Sequence, residues 1–300
     1  MFPALKIIPC SLAATAVLLT APVLAGAAPI PEDCKIGGFA LGCQAYTFNR
    51  FSVFEAIEKT AQAGAKVIEF YPGQKLSPQQ PDVKWNHDAS DEVIAQVKAQ
   101  LARHGLRPVN YGVVGGKDEA EWRKIFEFAK KLDLYAVTTE DVAHLDIIEK
   151  LVKEFDIRVG YHEHGKRPND PNYKLWDPNY VLSLVKDRDA RIGACADTGH
   201  WATSGLKPLD CVRILRGRIV SAHLKDRPVI GEQKPDVVYG TGVSDVAGIL
   251  DELKQQRFSG NVAIEYEANW DNSLPDVAQC IGFIRGWGAR VASKTPLKVE

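Results

Sequence analysis

Residues 191–200 read Arg191-Ile192-Gly193-Ala194-Cys195-Ala196-Asp197-Thr198-Gly199-His200. A short apolar run ends on a carboxylate, and a tight turn returns a histidine beside it. The same ending recurs in Ile219-Val220-Ser221-Ala222-His223, in Asn261-Val262-Ala263-Ile264-Glu265 and in Arg158-Val159-Gly160-Tyr161-His162. Oxygen and imidazole donors at the ends of successive strands are the requirement of a divalent-metal site.

Outward from this stretch, short apolar runs alternate with amphipathic stretches. The apolar runs at 39–44, 66–70, 106–111, 134–138, 157–162, 191–196, 219–223 and 261–265 read as strands. Helical periodicity occupies 52–63, 90–104, 118–131, 141–155, 178–187, 208–216, 244–256 and 275–288. Asp91, Asp141 and Ser244 are placed as N-caps, and Gly64 and Gly105 as helix stops. Eight such alternations predict a (β/α)8 TIM barrel as a single domain. A doubly wound open sheet is the competitor, and no Gly-rich strand-to-helix turn supports a dinucleotide site. The long connections, 71–88, 163–177 and 224–243, all follow strand C-terminal ends, where barrels carry their sites.

Composition narrows the function. The chain has 300 residues, 45% hydrophobic and 25% charged, with a formal net charge of −1. That offers no basic excess for a phosphate backbone, so nucleic acid is not an expected partner. Lys6, the apolar run Ile7 to Leu24 and the small residues Ala25-Gly26-Ala27 read as a signal peptide over 1–27, leaving a domain over 28–300. Pro9 and Pro22 and the lack of a basic stop-transfer flank argue against a membrane anchor. A periplasmic or secreted protein is expected, with no stable membrane insertion after cleavage. The sequence is equally compatible with a monomer and a homo-oligomer. Cys34, Cys43, Cys195, Cys211 and Cys280 would remain, too scattered for a disulfide framework or a zinc ribbon. Cys34 and Cys43 are near enough in sequence to pair, and the others read as buried small hydrophobes.

Asp197 closes a strand of small apolar residues, which has little use for a carboxylate unless it meets a cation. A turn cap is the alternative role. His223 ends the next strand and should neighbour it. Lys225 lies two residues on and should share its side, where it could move a proton or stabilise an enolate. Glu265 and Glu267 alternate and so face one side, Glu265 as metal ligand and Glu267 toward substrate. His162 and His164 share a face, with Glu163 on the other. Glu69 and Glu140 supply two more strand-end carboxylates, so six of the eight strands finish in an acid or an imidazole. Trp176, Trp201, Tyr239 and Trp270, near strand-end loops, offer apolar surface for a sugar ring.

The motifs Ala196-Asp197-Thr198-Gly199-His200-Trp201, His223-Leu224-Lys225-Asp226, Tyr239-Gly240-Thr241-Gly242 and Glu265-Tyr266-Glu267-Ala268-Asn269-Trp270 carry a resemblance. The chain resembles the xylose isomerase-like barrel superfamily of sugar phosphate isomerases and epimerases. In pattern it is closest to exported members similar to 3-keto-glycoside lyases and inosose dehydratases. The resemblance implies one divalent ion, Mn²⁺ before Co²⁺, Mg²⁺ or Zn²⁺, on Asp197, His223 and Glu265, with His200 touching the sugar. His162 stands where that superfamily has a glutamate ligand, so the fourth ligand becomes Glu140, ahead of His162 itself. The implied activity is a sugar isomerase/epimerase or lyase acting on a keto-sugar or 3-keto-glycoside through an enediolate. Within this reading Glu265, His162, His164 and Lys225 handle protons and leaving group, and Glu69, His200, Trp201, Glu267 and Trp270 meet the substrate. Two other readings are an endonuclease-IV-like metal phosphodiesterase and a sugar-binding barrel without chemistry. Export and near-neutral charge weigh against the first, and the Asp197, His223, Glu265 set against the second.

Overall fold

A computed structural model describes residues 29–293 of the chain, so the signal peptide expected over 1–27 lies outside the described residues. Eight parallel strands form the wall of a barrel: β1 (Phe39–Gln44), β2 (Val67–Phe70), β3 (Arg107–Tyr111), β4 (Ala136–Thr139), β5 (Arg158–Tyr161), β6 (Ile192–Asp197), β7 (Ile219–Leu224) and β8 (Asn261–Ile264). Each pairs with its sequence neighbours, and β8 pairs with β1 to close the ring. A two-residue strand, Lys35–Ile36, adds antiparallel to β1. The expected (β/α)8 barrel is therefore the observed fold.

Among the described residues, nine α-helices pack outside or over the ends of this wall. They are α1 (Val53–Gln62), α2 (Asp91–His104), α3 (Glu119–Lys131), α4 (Leu145–Phe155), α5 (Pro178–Val185), α6 (Thr198–Thr203), α7 (Pro208–Ile214), α8 (Val246–Gln255) and α9 (Leu274–Ser293). The N-caps differ from expectation by one to three residues. Ser90 rather than Asp91 caps α2 by accepting from Val93 N, and Asp245 rather than Ser244 caps α8 by accepting from Gly248 N. Asp141 instead shapes the turn before α4, accepting from the amides of Ala143 and His144. Gly105 ends α2 at φ +63°, a left-handed stop that suits glycine. The 71–88 connection folds as a hairpin of Gln74–Ser77 and Gln80–Trp85.

The apolar core lies between strands and helices, with Trp85, Trp122, Phe126 and Trp201 fully buried in it. A smaller cluster of Ala40, Val67, Val109, Tyr135, Ala136 and Val220, joined by Ile30, gathers residues near strand starts. Cys43 packs in the main core, whereas Cys34 packs on the smaller cluster, and both are free thiols. The pairing raised by their spacing does not form, because they face different layers. Cys195, Cys211 and Cys280 are buried, as expected.

The wall leaves little tolerance at β1. An added Cβ at Gly42 would lie 2.1 Å from the Val67 carbonyl oxygen. Gly42→Ala should destabilise the protein by about 1–3 kcal/mol, since a rigid wall cannot yield cheaply. Urea unfolding with an unchanged slope and a lower midpoint would bear this out; an unchanged midpoint would refute it.

Candidate metal centre and substrate cleft

Parallel register brings the strand-end side chains into one layer. His223 on β7 pairs with Asp197 on β6, and Leu224 pairs with Ile264, so Glu265 follows directly after β8. On the far side of Asp197, Thr139 pairs with Tyr161, and His162 N donates to the Thr139 carbonyl at 2.8 Å. One donor atom each from His162, Asp197, His223 and Glu265 all lie within 4.8 Å of one another, and all four residues are buried.

Asp197 Oδ2 is the meeting point. Lys225 Nζ lies 2.5 Å from it, His162 Nε2 3.5 Å, His200 Nε2 3.8 Å and His223 Nδ1 3.9 Å. Its other oxygen accepts from His200 N at 2.9 Å, so Asp197 caps α6 as well as joining the cluster. Glu265 Oε2 lies 2.6 Å from Lys225 Nζ and 3.1 Å from His223 Nδ1.

Carboxylates stand behind the imidazoles and hold their orientation. Glu69, fully buried, receives His223 Nε2 at 3.0 Å, Thr138 Oγ1 at 3.2 Å and Asn261 Nδ2 at 3.1 Å. Glu140 Oε1 meets His162 Nδ1 at 3.0 Å, His164 Nδ1 at 2.5 Å and the Tyr173 hydroxyl at 3.1 Å. Glu163 accepts from Asp197 N at 2.9 Å. A carboxylate on the far nitrogen of an imidazole is the usual support of a metal-ligating histidine.

Charge sets the protonation states of the metal-free site. Burial pulls His162 down, but the Asp197 and Glu140 carboxylates beside it outweigh burial and push it up to about 10. Burial takes His200 down to about 3 against the pull of Asp197, leaving a neutral imidazole. Burial opposes ionisation of Asp197, yet His200, Lys225 and His162 hold it well below the usual carboxylate range. Glu265 is likewise held low against burial by Lys225 and His223.

Above the cluster opens a cleft of about 440 Å³ lined by Gln44, Tyr46, Tyr71, Pro72, Gly112, Val113, His162, His164, His200, Glu265, Glu267 and Trp270. Tyr46 meets Tyr71 and Trp270 edge-on, with ring centroids 5.3 and 5.9 Å away, giving an aromatic wall. His162, His164 and His200 form a triangle of rings with centroids 4.9–5.8 Å apart.

The structure sorts the residues expected from sequence. His162, His164, His200, Glu265, Glu267 and Trp270 all line the cleft. Glu69 does not reach it, because the side chain lies deeper in the barrel against His223. Trp201 is fully buried in the apolar core and offers no surface to a ligand. Tyr239 is buried with its hydroxyl donating to the Leu224 carbonyl, and Trp176 belongs to a separate cavity under Lys166. Lys225, 1% exposed, lies beneath the cleft between Asp197 and Glu265 rather than in its lining. His162, not Glu140, stands with Asp197, His223 and Glu265, while Glu140 groups with His162 and His164. Tyr46 and Tyr71, which follow the ends of β1 and β2, also line the cleft and were not among the aromatic residues expected there.

His162 Nε2 and His223 Nδ1 are buried without a hydrogen-bond partner. Two orphaned imidazole nitrogens facing two carboxylates are a donor set that suits a divalent cation.

The family described as xylose isomerase-like TIM barrel matches residues 57–286. Among solved structures, an uncharacterised protein from Parabacteroides distasonis is 32% identical, with TM-score 0.66, over 83% of this chain and 99% of that one. A D-tagatose 3-epimerase-like protein superposes with TM-score 0.65 at 17% identity, over 85% of this chain and 99% of that one. A D-allulose 3-epimerase from Methylomonas, solved with D-allulose, gives 0.61 at 17% identity over 82% and 96%. No curated protein matches the sequence.

The bond of His162 to Glu140 makes stability pH-dependent. A histidine raised in the folded state to about 10, from about 6.5 unfolded, stabilises fully below pH 6.5 and loses that contribution as pH rises through 10. Glu140→Gln should flatten the decline in stability of the chelated, metal-free protein between pH 7 and 10. Thermal unfolding across that range would show it, and a decline as steep as wild type would contradict it.

Proposed function

Because the chain belongs to the xylose isomerase-like TIM barrel family, we propose that it is a divalent-metal-dependent enzyme that moves a proton on the carbon beside a sugar carbonyl. The observation that carries this reading is the convergence of His162, Asp197, His223 and Glu265 under an aromatic-walled cleft. The relatives solved as sugar epimerases support a sugar substrate. No lysine or arginine lines the cleft among the described residues, which favours an unphosphorylated keto-sugar or keto-glycoside.

A divalent ion on His162 Nε2, Asp197, His223 Nδ1 and Glu265 would supply Lewis-acid polarisation of the ketone oxygen, with Mn²⁺ the first ion to test. The remaining work falls to the chain. Glu265 and Glu267 reach the cleft as carboxylates that can take a proton from carbon. His200 is neutral in the metal-free site, and it reaches the cleft beside His164, so the pair can hold a sugar hydroxyl or pass a proton to a departing oxygen. Tyr46, Tyr71 and Trp270 present flat surface to the apolar face of a sugar ring.

Acceptor and donor are then unlike groups, a carboxylate and an imidazole. That asymmetry favours isomerisation, or elimination of a β-oxygen, over epimerisation, which needs equivalent bases on two faces. The leader read from the sequence at 1–27 supports a periplasmic or secreted mature enzyme. Proton NMR in D₂O with a 3-keto-glucoside and Mn²⁺ tests the reading. Deuterium entering at C2 alone assigns an isomerase or epimerase, and release of the aglycone assigns a lyase. Glu265→Gln should lower either rate by about 10²-fold or more. The absence of both exchange and release with metal bound would overturn the assignment.

A further inference from the structure

Lys225 is buried at the cluster, and the fold builds a slot for it. A Cβ on Gly199 would lie 2.4 Å from Lys225 Cδ and 2.8 Å from its Cβ, so the glycine makes room for the stem. The backbone is fixed by reciprocal bonds with Thr198: Lys225 N donates to Thr198 Oγ1 at 2.7 Å, and Thr198 Oγ1 donates to the Lys225 carbonyl at 2.8 Å. The ammonium therefore sits where the chain puts it, 2.5 Å from Asp197 Oδ2 and 2.6 Å from Glu265 Oε2.

Those two oxygens are the anionic half of the four-donor set. An ammonium and a divalent ion seeking the same oxygens repel each other at a few ångströms, in a dry site where screening is weak. A third carboxylate, Glu267, also faces the ammonium, with its Oε1 3.6 Å away. Resting on the metal reading above, we propose that Lys225 is a built-in antagonist of the metal centre. It closes the Asp197–Glu265 pair in the metal-free protein and yields toward Glu267 when a divalent ion enters. The centre is thereby a weak, exchangeable one whose metal-free form keeps its carboxylates paired.

The test is Mn²⁺ titration by calorimetry of wild type, Lys225→Met and Lys225→Gln, with melting temperatures measured in chelator and in Mn²⁺. Both variants should bind Mn²⁺ at least about tenfold more tightly than wild type, because the competing charge is gone. In chelator their melting temperatures should fall, and Mn²⁺ should raise them by more than it raises wild type. Lys225→Gln keeps most of the stem and its hydrogen-bonding reach, so it carries the test if Lys225→Met folds only with metal. Binding by wild type with unchanged or weaker binding by the variants would overturn the antagonist role alone. Absence of Mn²⁺ binding in all three proteins would overturn the metal reading itself, and this inference with it.

Discussion

Two buried carboxylates, Asp197 and Glu265, set the terms for the whole barrel mouth. An ionised carboxylate in a dry interior is costly unless a cation and hydrogen bonds meet it. Lys225 answers both, and His162, His200 and His223 close around them. Removing one partner from such a group costs about 3–5 kcal/mol, because the remaining charge is left buried. The site is thus an assembly in which each charge is tolerable only in the presence of the others. A fold built around that assembly keeps it where substrate can approach, at the C-terminal ends of parallel strands.

Register and small residues make the assembly possible. Parallel pairing puts Asp197 beside His223 with no adjustment, and it carries Glu265 to the same height one strand further on. Gly160 and Gly199 clear volume at the crowded places. A Cβ at Gly160 would press on Cys195 at 3.0 Å, and one at Gly199 would collide with the Lys225 stem. Behind the donors, Glu69, Glu140 and Glu163 orient His223, His162 and Asp197 respectively. Each is an acidic side chain one step removed from the chemistry, serving direction rather than contact.

Much of this was readable in the sequence, and the failures share a cause. Alternation of short apolar runs with helical periods reports burial in the wall, so the barrel and its eight strands could be read directly. Strand-end acids and imidazoles report the mouth, because a buried wall has no other use for them; hence His162, Asp197, His223 and Glu265 stood out. What periodicity does not report is depth along the barrel axis. Glu69 is a β2 residue whose side chain points inward, but below the cleft, so it supports His223 instead of meeting substrate. Lys225 shares the side of His223 as expected, yet it turns down onto Asp197 and Glu265. Trp201 lies near a strand-end loop as expected, but its ring packs in the apolar core. Helix caps moved by a residue or more because Ser90, Asp91, Ser244 and Asp245 are all competent in sequence, and only the entering chain direction chooses among them.

Anomalous diffraction from crystals of the mature chain soaked in Mn²⁺ tests the central claim most directly. The account predicts one strong peak bonded to His162 Nε2, Asp197, His223 Nδ1 and Glu265, with Lys225 Nζ displaced from the two carboxylates. A peak on Glu140 and His164 instead, or no peak in the barrel mouth, would contradict it.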